Sequence, residues 1–436
     1  MAAAPHLSRI TIVGIMLVMT SVSSNLNWGG DNWRHILGSD AKGYYAYLPA
    51  TFIYHDLNIG FFDAIEKEKY NDPHLFYDYR ATAHGKQLIK YFAGTAVAQL
   101  PFFLVVHAAT TITGGDADGY SKPYLIAVNL AALFYLFVGL FFLDLLLARR
   151  GVGGWARAIT LIATVFGTNL FFYAVGEPGM SHVYSFAFIC AFLHTSERYF
   201  EKPDGRLIVV LGALLGMIVL IRPVNGMILL AWPFVAGDAG ALKRGLLYPI
   251  AHWGRTLMAI AICAAIVAVQ GMLYYIATDH FFVYSYPGEG IDLRTPHLVD
   301  ILFSYKKGLF VYTPLYLLAL VGGYHLWRSN RYGFVVWAVC LLVITYVLSS
   351  WSQWYYGGSF SSRVFVEYLP FFMIPLGMAV QGITTRPWRQ LFRFAIVVLI
   401  LLCQVQTYQY RYYQIHWSDM DREKYWEVFL RVDQLV

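Results

Sequence analysis

Residues 37–49, Leu37-Gly-Ser-Asp-Ala-Lys-Gly-Tyr-Tyr-Ala-Tyr-Leu-Pro49, follow the first strongly apolar segment, Ile10–Ser24. They place a single carboxylate, Asp40, among a lysine, two glycines and three tyrosines. An unpaired carboxylate close to a bilayer is costly, because the low dielectric disfavours its charge. Two interpretations follow. Asp40 either forms an ion pair with Lys42 or Arg34, or it is a functional acid at the membrane boundary.

The composition indicates a membrane-embedded chain. Hydrophobic residues make up 58% of the 436 positions and charged residues only 13%, and the mean hydropathy is +0.51. The net charge of +6 comes mostly from Lys and Arg at the ends of apolar segments, so it does not indicate a nucleic-acid partner. The four cysteines lie inside apolar runs without CxxC spacing, which predicts neither a disulfide framework nor a zinc site.

Twelve apolar runs approach the length of about 20 residues that a helix needs to cross a bilayer. They are Ile10–Ser24, Ala93–Ile112, Tyr124–Leu147, Ala158–Val175, His182–Glu197, Leu207–Ile221, Gly226–Ala236, Thr256–Ile276, Leu309–Trp327, Gly333–Ser350, Val364–Gly382 and Phe394–Thr407. The first run predicts an uncleaved signal anchor, since many further runs follow it. The short runs Leu207–Ile221 and Gly226–Ala236 flank Arg222-Pro223 and predict a buried hairpin.

The basic loops predict which run does not cross. If all twelve runs cross, the short basic loops such as 148–157 and 386–393 face outward, against the positive-inside rule. Treating Ala93–Ile112, which contains Pro101 and His107, as a juxtamembrane or re-entrant helix returns every basic loop to the cytoplasm. The prediction is a single all-α polytopic module, 1–436, with about eleven transmembrane helices. Its first extracytoplasmic loop is 25–122, and an extracytoplasmic amphipathic tail covers 408–436.

This topology places most acidic residues and histidines outside, together with several cations. Glu177 and His182 end two consecutive apolar runs and can face the same space as Asp40, although a helix-capping turn with Ser181 as the cap is the alternative. The outward cations are Arg80, Lys90, Arg222, Lys306, Lys307 and Arg363. Arg222 stands between two apolar runs and suits phosphate oxygens. The alternative for Arg363 is an ion pair with Glu367, and Lys306 and Lys307 are expected to border a span near lipid headgroups.

Aromatic side chains are concentrated in the same outer loops. The segment Trp351-Ser-Gln-Trp354-Tyr-Tyr-Gly-Gly-Ser-Phe-Ser-Ser-Arg363 holds two Trp, two Tyr and a Gly pair, more than interfacial anchoring requires. Aromatic faces bind sugar rings, and glycine lets the backbone approach a ligand. Trp351, Trp354 and Tyr355, with Tyr44 and Tyr45, are therefore candidates for sugar or acceptor binding, as are Glu177 and His182.

These motifs resemble the C-type (GT-C) glycosyltransferases, in particular bacterial protein O-mannosyltransferase, aminoarabinose transferase and Rgt-type enzymes. The resemblance implies a catalytic role for Asp40, in the first outer loop. It also implies a juxtamembrane helix that contacts the donor phosphate, matched by Lys90 and the segment up to Leu100-Pro101, although the family's Pro-Pro is absent. Arg222-Pro223 resembles the Arg-Pro that ends a mid-chain helix in many members. The family's second acid has no clear Asp counterpart, and Glu177 is the nearest substitute.

The resulting hypothesis is an inverting transfer of a monosaccharide from a polyprenyl-phosphate donor at the periplasmic face of the inner (cytoplasmic) membrane. Asp40 is the general base, and Arg222, Arg363, Lys90 and Arg80 bind the donor phosphate. No cofactor and no metal are expected, although a divalent cation stays open. The partners are the lipid-linked sugar, the bilayer and an acceptor glycan, lipid or protein. The rivals are a lipid-linked-sugar flippase, an O-antigen ligase or polymerase, an acyltransferase that uses His182, and a non-catalytic scaffold.

Overall fold

The computed structural model describes residues 6–434, and these residues are almost entirely helical. In chain order the α-helices are α1 (Leu7–Ser23), α2 (Asp40–Phe52), α3 (Gly94–Ile112), α4 (Lys122–Arg149), α5 (Gly154–Phe166), α6 (Leu170–Val175), α7 (Ser181–Glu201), α8 (Gly205–Ile221), α9 (Trp232–Ala236), α10 (Ala239–Ala251), α11 (Trp253–Thr278), α12 (Leu298–Phe303), α13 (Leu309–Tyr312), α14 (Leu315–Val321), α15 (Gly323–Ser329), α16 (Arg331–Ser349), α17 (Leu369–Gly382), α18 (Arg386–Arg411) and α19 (Arg422–Val428).

Shorter elements complete the chain. Two π-helical turns and four 3₁₀ turns lie between the α-helices: Ser24–Trp28, Ala64–Lys69, Asn32–Ile36, Pro223–Ala231, Arg363–Phe365 and Val432–Gln434. One antiparallel hairpin joins strands β1 (Arg80–Ala83) and β2 (Lys86–Ile89), with Arg80 opposite Ile89. Its turn residues His84 and Gly85 both have positive φ angles, 51° and 74°, the conformation of the two-residue turns that suit strand twist.

Six helices in the described residues are long and apolar enough to cross a membrane by length and composition, as expected of a multi-pass membrane protein. They are α1 with its π-helical extension, α3, α4, α11, α16 and α18. The shorter apolar helices are α5, α8, the segment Pro223–Ala236 and α17. Length and composition thus single out six helices in the described residues, and the count of about eleven transmembrane helices stays a prediction.

Two predicted spans are interrupted because glycine and proline lie within them. Run 158–175 is divided at Gly167, where the side-chain hydroxyls of Thr164 and Thr168 bond back to carbonyls four residues earlier. Run 309–327 is divided at Pro314 and Gly322. A Cβ on Gly322 would lie 2.0 Å from the Pro375 carbonyl oxygen, so α17 packs directly onto this interruption. Hydropathy counts the apolar residues in such a segment but does not register the break.

Helix α3 is continuous through Pro101 and packs against α2, α4 and α8. The interpretation of 93–112 as a juxtamembrane helix stays a prediction, since length and composition also allow α3 to cross. Helix α8 ends at Ile221 and contacts the 3₁₀ segment that follows Arg222, but α9 does not pack along α8, so the predicted hairpin does not extend to that helix. The region is also not buried as predicted, because Val210, Leu229 and Leu230 expose their side chains.

One main hydrophobic cluster extends from Ile12 to Tyr425 and joins the long helices to the segments between them. The tail begins inside α18, which continues to Arg411, and its only other α-helix in the described residues is the single short helix α19. Tyr425 of α19 is buried and donates a hydrogen bond to the carbonyl of Val311, whereas Trp426 is exposed. The short helix α19 thus has one buried and one exposed aromatic side chain, and the amphipathic tail over 408–436 stays a prediction.

Candidate functional site

A cavity of about 1540 Å³ lies among the loops that flank α2, α3, α7, α8 and α18. It brings together seven of the residues that the sequence singled out: Asp40, Tyr44, Lys90, Glu177, Arg222, Trp351 and Arg363. These residues come from segments more than 300 positions apart. Cations, a carboxylate and aromatic rings therefore share one space, as the outward-facing pattern predicted.

Asp40 is the first residue of α2 and has partners other than the predicted ones. Its Oδ2 accepts a hydrogen bond from Arg363 Nη2 at 2.5 Å, and its Oδ1 accepts from Tyr91 at 2.7 Å and Tyr77 at 3.2 Å. Burial acts to raise the pKa of Asp40, but Arg363 and the two tyrosines outweigh it and hold the pKa below its usual value. Asp40 is therefore an ionised carboxylate at the cavity wall.

The ion pairs considered for Asp40 from local spacing form elsewhere. Lys42 pairs with the buried Glu66, and Arg34 lies 3.9 Å from Asp31. The local predictions failed because α2 turns Lys42 away from Asp40, while the tertiary fold brings in an arginine 323 residues distant.

Arg222 also lines the cavity, and a buried carboxylate holds it from behind. Its Nη1 donates to Glu367 Oε1 at 2.8 Å, and His182 Nδ1 lies 3.0 Å from the same oxygen. Glu367 is completely buried. The alternative pair Arg363–Glu367 does not form, because Arg363 lies in a 3₁₀ turn and reaches Asp40 instead.

Lys90 lies directly after the hairpin strand β2, at the cavity edge. Its Nζ is 2.6 Å from Glu289 Oε1 and 5.1 Å from the ring centre of Tyr286. Gly94, at the start of α3, meets the end of α8 so closely that a Cβ would lie 2.3 Å from the Ile221 amide nitrogen. Only glycine permits this approach, and it brings the segment of Lys90 next to that of Arg222.

Glu177 lies in the loop between α6 and α7 and lines the cavity. Its Oε2 is buried without a hydrogen-bond partner. Burial raises the pKa of Glu177 to about 7, with Arg363 opposing the shift and Asp40 adding to it. Ser181 does not cap α7 as the alternative proposed, since the capping position is Met180.

Lys307 departs from its predicted place near lipid headgroups. It is buried, and its Nζ donates to the Ser359 carbonyl and lies 5.2 Å from the ring centre of Tyr410. Burial lowers the pKa of Lys307 to about 7, while the charge of Glu177 opposes the shift. Lys306 lies 3.7 Å from the ring centre of Tyr355.

Five sequence candidates do not line the cavity. Arg80 is held by Asp78 at 2.8 Å, Tyr45 donates to the Gly119 carbonyl, and His182 is buried behind Arg222. Trp354 packs beside His297 and Tyr355 lies under Lys306. Each has a structural partner that satisfies it.

Sequence reasoning did not single out four residues that line the cavity, Tyr77, Tyr91, Glu289 and Tyr356, or the buried Glu367, which holds Arg222 from behind. Glu367 could be noticed in the sequence as a carboxylate within an apolar run, but its spacing suggested a pair with Arg363 and not with Arg222. Tyr356 lies in the aromatic segment 351–363, whereas Tyr77 and Tyr91 had no signal, since 33 tyrosines are spread along the chain. Within residues 6–434, no group of three or more His, Cys, Asp or Glu is placed to hold a metal ion.

Comparison with known proteins identifies the fold. No protein-family model and no curated protein matches the sequence. The crystal structure of ArnT from Cupriavidus metallidurans bound to undecaprenyl phosphate aligns with a TM-score of 0.54 and 14% identity, over 94% of this chain and 70% of that one.

Two structures of the oligosaccharyltransferase from Archaeoglobus fulgidus align less well. The AglB complex with an inhibitory peptide and dolichol phosphate has a TM-score of 0.48 and 10% identity, over 97% of this chain and 57% of that one. The apo form has 0.48 and 13%, over 96% and 59%. At these identities the ArnT alignment shows a shared fold, and it confirms the resemblance at that level: the chain has the fold of the GT-C membrane glycosyltransferases.

Proposed function

We propose that the protein is an inverting glycosyltransferase that moves a monosaccharide from a polyprenyl-phosphate donor to an acceptor hydroxyl. The reaction takes place at the extracytoplasmic face of the inner membrane. The observation that carries the proposal is Asp40, an ionised carboxylate in a large cavity that also presents Arg363, Arg222 and Lys90. The GT-C fold supports it, since the ArnT structure with that fold contains a polyprenyl phosphate.

In this reaction the acceptor oxygen attacks the anomeric carbon from the side opposite the phosphate. Asp40 takes the proton of the acceptor hydroxyl, a new glycosidic C–O bond forms, and the bond from the anomeric carbon to the phosphate oxygen breaks with its electron pair. Polyprenyl phosphate leaves as an anion. Because a single displacement occurs, the configuration at the anomeric carbon inverts.

Arg363 has two tasks in the proposal. In the free protein it neutralises Asp40, which lowers the pKa of that carboxyl and weakens it as a base. A donor phosphate offers Arg363 a second anionic partner. Once the guanidinium shifts toward the phosphate, it no longer holds down the pKa of Asp40. Burial then raises that pKa, and Asp40 becomes a stronger base. Donor binding thus prepares the base at the moment when an acceptor can use it.

The other residues bind the two ends of the donor. Arg222, held in place by Glu367, and Lys90 stabilise charge that develops on the leaving phosphate. Tyr44, Trp351 and Glu177 line the same cavity and contact the sugar. Because three cations converge there, the proposal needs no divalent metal. Turnover that is unchanged by a chelator is the expected result.

The test is Asp40→Asn in purified full-length protein, assayed by release of polyprenyl phosphate. Turnover is expected to fall by about 10³-fold, within the range that a general base contributes, while donor binding is largely retained. Asp78→Asn is the matched control, since Asp78 belongs to the same loop and pairs with Arg80 outside the cavity. Near-normal turnover of the Asp40 variant would refute the role of Asp40 as the general base, and absence of polyprenyl-phosphate release from the wild-type protein would favour a flippase, which breaks no bond in the donor.

A further inference from the structure

One wall of the cavity has no role in the chemistry above. We call it the tail wall: it consists of Tyr410, Arg411, Tyr412, Tyr413 and Trp417 from the C-terminal end of α18 and beyond, together with Gly357 and Gly358, which line the same cavity. The cations assigned to the donor phosphate come from other segments, at Lys90, Arg222 and Arg363. The tail wall is therefore a second group of cavity residues, rich in aromatic rings.

The tail wall is anchored at its base. Arg411 Nη2 lies 3.4 Å from both the Leu26 carbonyl and Asn27 Oδ1, which joins the end of α18 to the end of the first helix. Tyr410 is buried, with its ring centre 5.1 Å from that of Phe172 and 5.5 Å from that of Phe360. The aromatic side chains beyond Arg411 therefore stand on a fixed support.

Beyond this support the rings are open to the cavity. Tyr412, Tyr413 and Trp417 expose 50%, 69% and 49% of their surfaces, although all three line the cavity. Tyr413 has a φ of 60°, a left-handed conformation that is unfavourable for a bulky residue and tends to occur where function requires it. Trp417 lies against Gly358, where a Cβ would be 3.2 Å from the indole Cε3.

Polar side chains without a fixed partner in the described part of the chain line the same cavity. Asn32, His35 and His74 are exposed, and within residues 6–434 their side chains make no hydrogen bond to protein atoms. Flat aromatic faces with unengaged amide and imidazole groups suit a ligand that has an apolar ring face and a rim of hydroxyls. A saccharide has this chemistry. A lipid acceptor would call for a continuous apolar groove in place of these polar groups.

The size of the cavity leaves room for such a ligand beside the donor. Small-molecule sites commonly measure about 300–1,000 Å³, whereas this cavity measures about 1540 Å³. Resting on the proposed transferase function, we propose that the tail wall is the acceptor subsite and that it binds a saccharide acceptor. The acceptor hydroxyl then reaches Asp40 from the tail wall, while the donor phosphate binds to Lys90, Arg222 and Arg363.

The test measures saccharide binding in the absence of donor, so that it does not depend on turnover. Fluorescently labelled full-length protein in detergent is applied to an array of neutral di- and trisaccharides of glucose, galactose, mannose and arabinose. Wild-type protein is expected to bind a subset of them. Trp417→Ala is expected to lower bound signal roughly tenfold, as loss of an aromatic anchor does, and Gly358→Ala to lower it by displacing the Trp417 ring.

Two control variants distinguish loss of the binding site from misfolding of the protein. Trp417→Phe keeps an aromatic face and is expected to retain most binding. Trp426→Ala removes an equally exposed tail tryptophan that does not line the cavity, and it is expected to bind as wild type does. Absence of saccharide binding by wild type, equal effects of Trp417→Ala and Trp426→Ala, or binding only to a parallel peptide array would overturn the acceptor proposal. Wild-type protein that binds saccharide through Trp417 but releases no polyprenyl phosphate from any polyprenyl-phosphate sugar would overturn the transferase proposal alone.

Discussion

Two buried aspartate–arginine pairs, one at the cavity and one far from it, show how differently the same pairing can be used. Asp40 and Arg363 have 16% and 11% exposed side chains and both line the cavity. Asp144 and Arg157 have 4% and 11% exposed side chains, in α4 and α5, and line no part of it. Burial alone therefore does not separate the two pairs.

Their hydrogen bonds separate them. Both carboxylate oxygens of Asp144 accept from one nitrogen, Arg157 Nη1, at 3.0 Å. Asp40 instead divides its oxygens, giving one to Arg363 and the other to two tyrosine hydroxyls at the cavity. The distant pair is closed on itself and fixes α4 to α5, whereas the cavity pair stays within reach of a ligand. Accessibility, more than charge pairing, marks Asp40 as chemically useful.

The largest expected effect comes from opening the cavity pair with Arg363→Gln. Loss of the cation that stabilises the leaving phosphate should lower turnover by about 10²–10³-fold. The same change removes the main charge that lowers the pKa of Asp40. Because turnover needs ionised Asp40, and Arg363 pairs with it in the free protein, the acid limb of the kcat/KM profile should move to higher pH. An unchanged acid limb, measured by polyprenyl-phosphate release, would show that Arg363 does not control the base.

The matching change in the distant pair, Arg157→Gln, should act on stability. It leaves the buried Asp144 without a partner, which costs about 3 kcal/mol in the free energy of unfolding. Turnover per folded molecule should stay within about twofold of wild type, since neither residue lines the cavity. Thermal unfolding in detergent measures the loss of stability, and an active-site titration gives the turnover per folded molecule. A turnover loss comparable with that of Arg363→Gln would erase the distinction between the pairs.

The sequence allowed the cavity pair to be anticipated only in part. Asp40, Arg222 and Arg363 could be placed on one face, because basic loops orient the chain and charges near a bilayer need partners. Which arginine meets which carboxylate could not be predicted. Helical spacing favoured Arg363 with Glu367, but a 3₁₀ turn at Arg363 removes that helical geometry and Glu367 holds Arg222.

The helices, like the cavity pair, could be predicted from composition only in part, because composition does not give their geometry. Apolar runs predicted a helical membrane protein, and this held because composition determines which segments avoid water. The apolar runs did not reveal where a helix is interrupted, since Gly167, Pro314 and Gly322 break helices without changing mean hydropathy. Supporting residues such as Tyr77 and Tyr91 become visible only when α2 and the hairpin are brought together by tertiary contacts.

A smaller effect should separate Glu177 from both pairs, because this carboxyl has no ion-pair partner among residues 6–434. Burial raises the pKa of Glu177 from 4.5 to about 7. Its contribution to stability is therefore complete below about pH 4.5 and is lost as the pH rises through about 7. Glu177→Gln should remove this loss. As the pH rises from about 5.5 to about 8.5, the free energy of unfolding of the variant should therefore increase by about 2 kcal/mol relative to that of the wild-type protein.

Thermal unfolding of the Glu177 variant at the two pH values measures that gain. Glu68→Gln is the control, because Glu68 is an exposed glutamate and its replacement should give no pH-dependent difference. Equal unfolding temperatures for Glu177→Gln and wild type at the higher pH would show that Lys307 neutralises Glu177 fully in the folded protein.

The smallest expected effect belongs to Arg80, which the sequence grouped with the phosphate-binding cations. Its guanidinium is bonded to Asp78 and lies 3.8 Å from the ring centre of Phe62, outside the cavity. Arg80→Gln should therefore change turnover by less than about twofold, as loss of an exposed ion pair typically does. Lys90→Gln removes a cation that does line the cavity and should lower donor affinity several-fold. Donor titrations of the two variants side by side decide whether a cation must line the cavity to contribute to donor affinity. Equal losses of affinity in both variants would show that the loop carrying Arg80 and Lys90 contributes through its net charge alone.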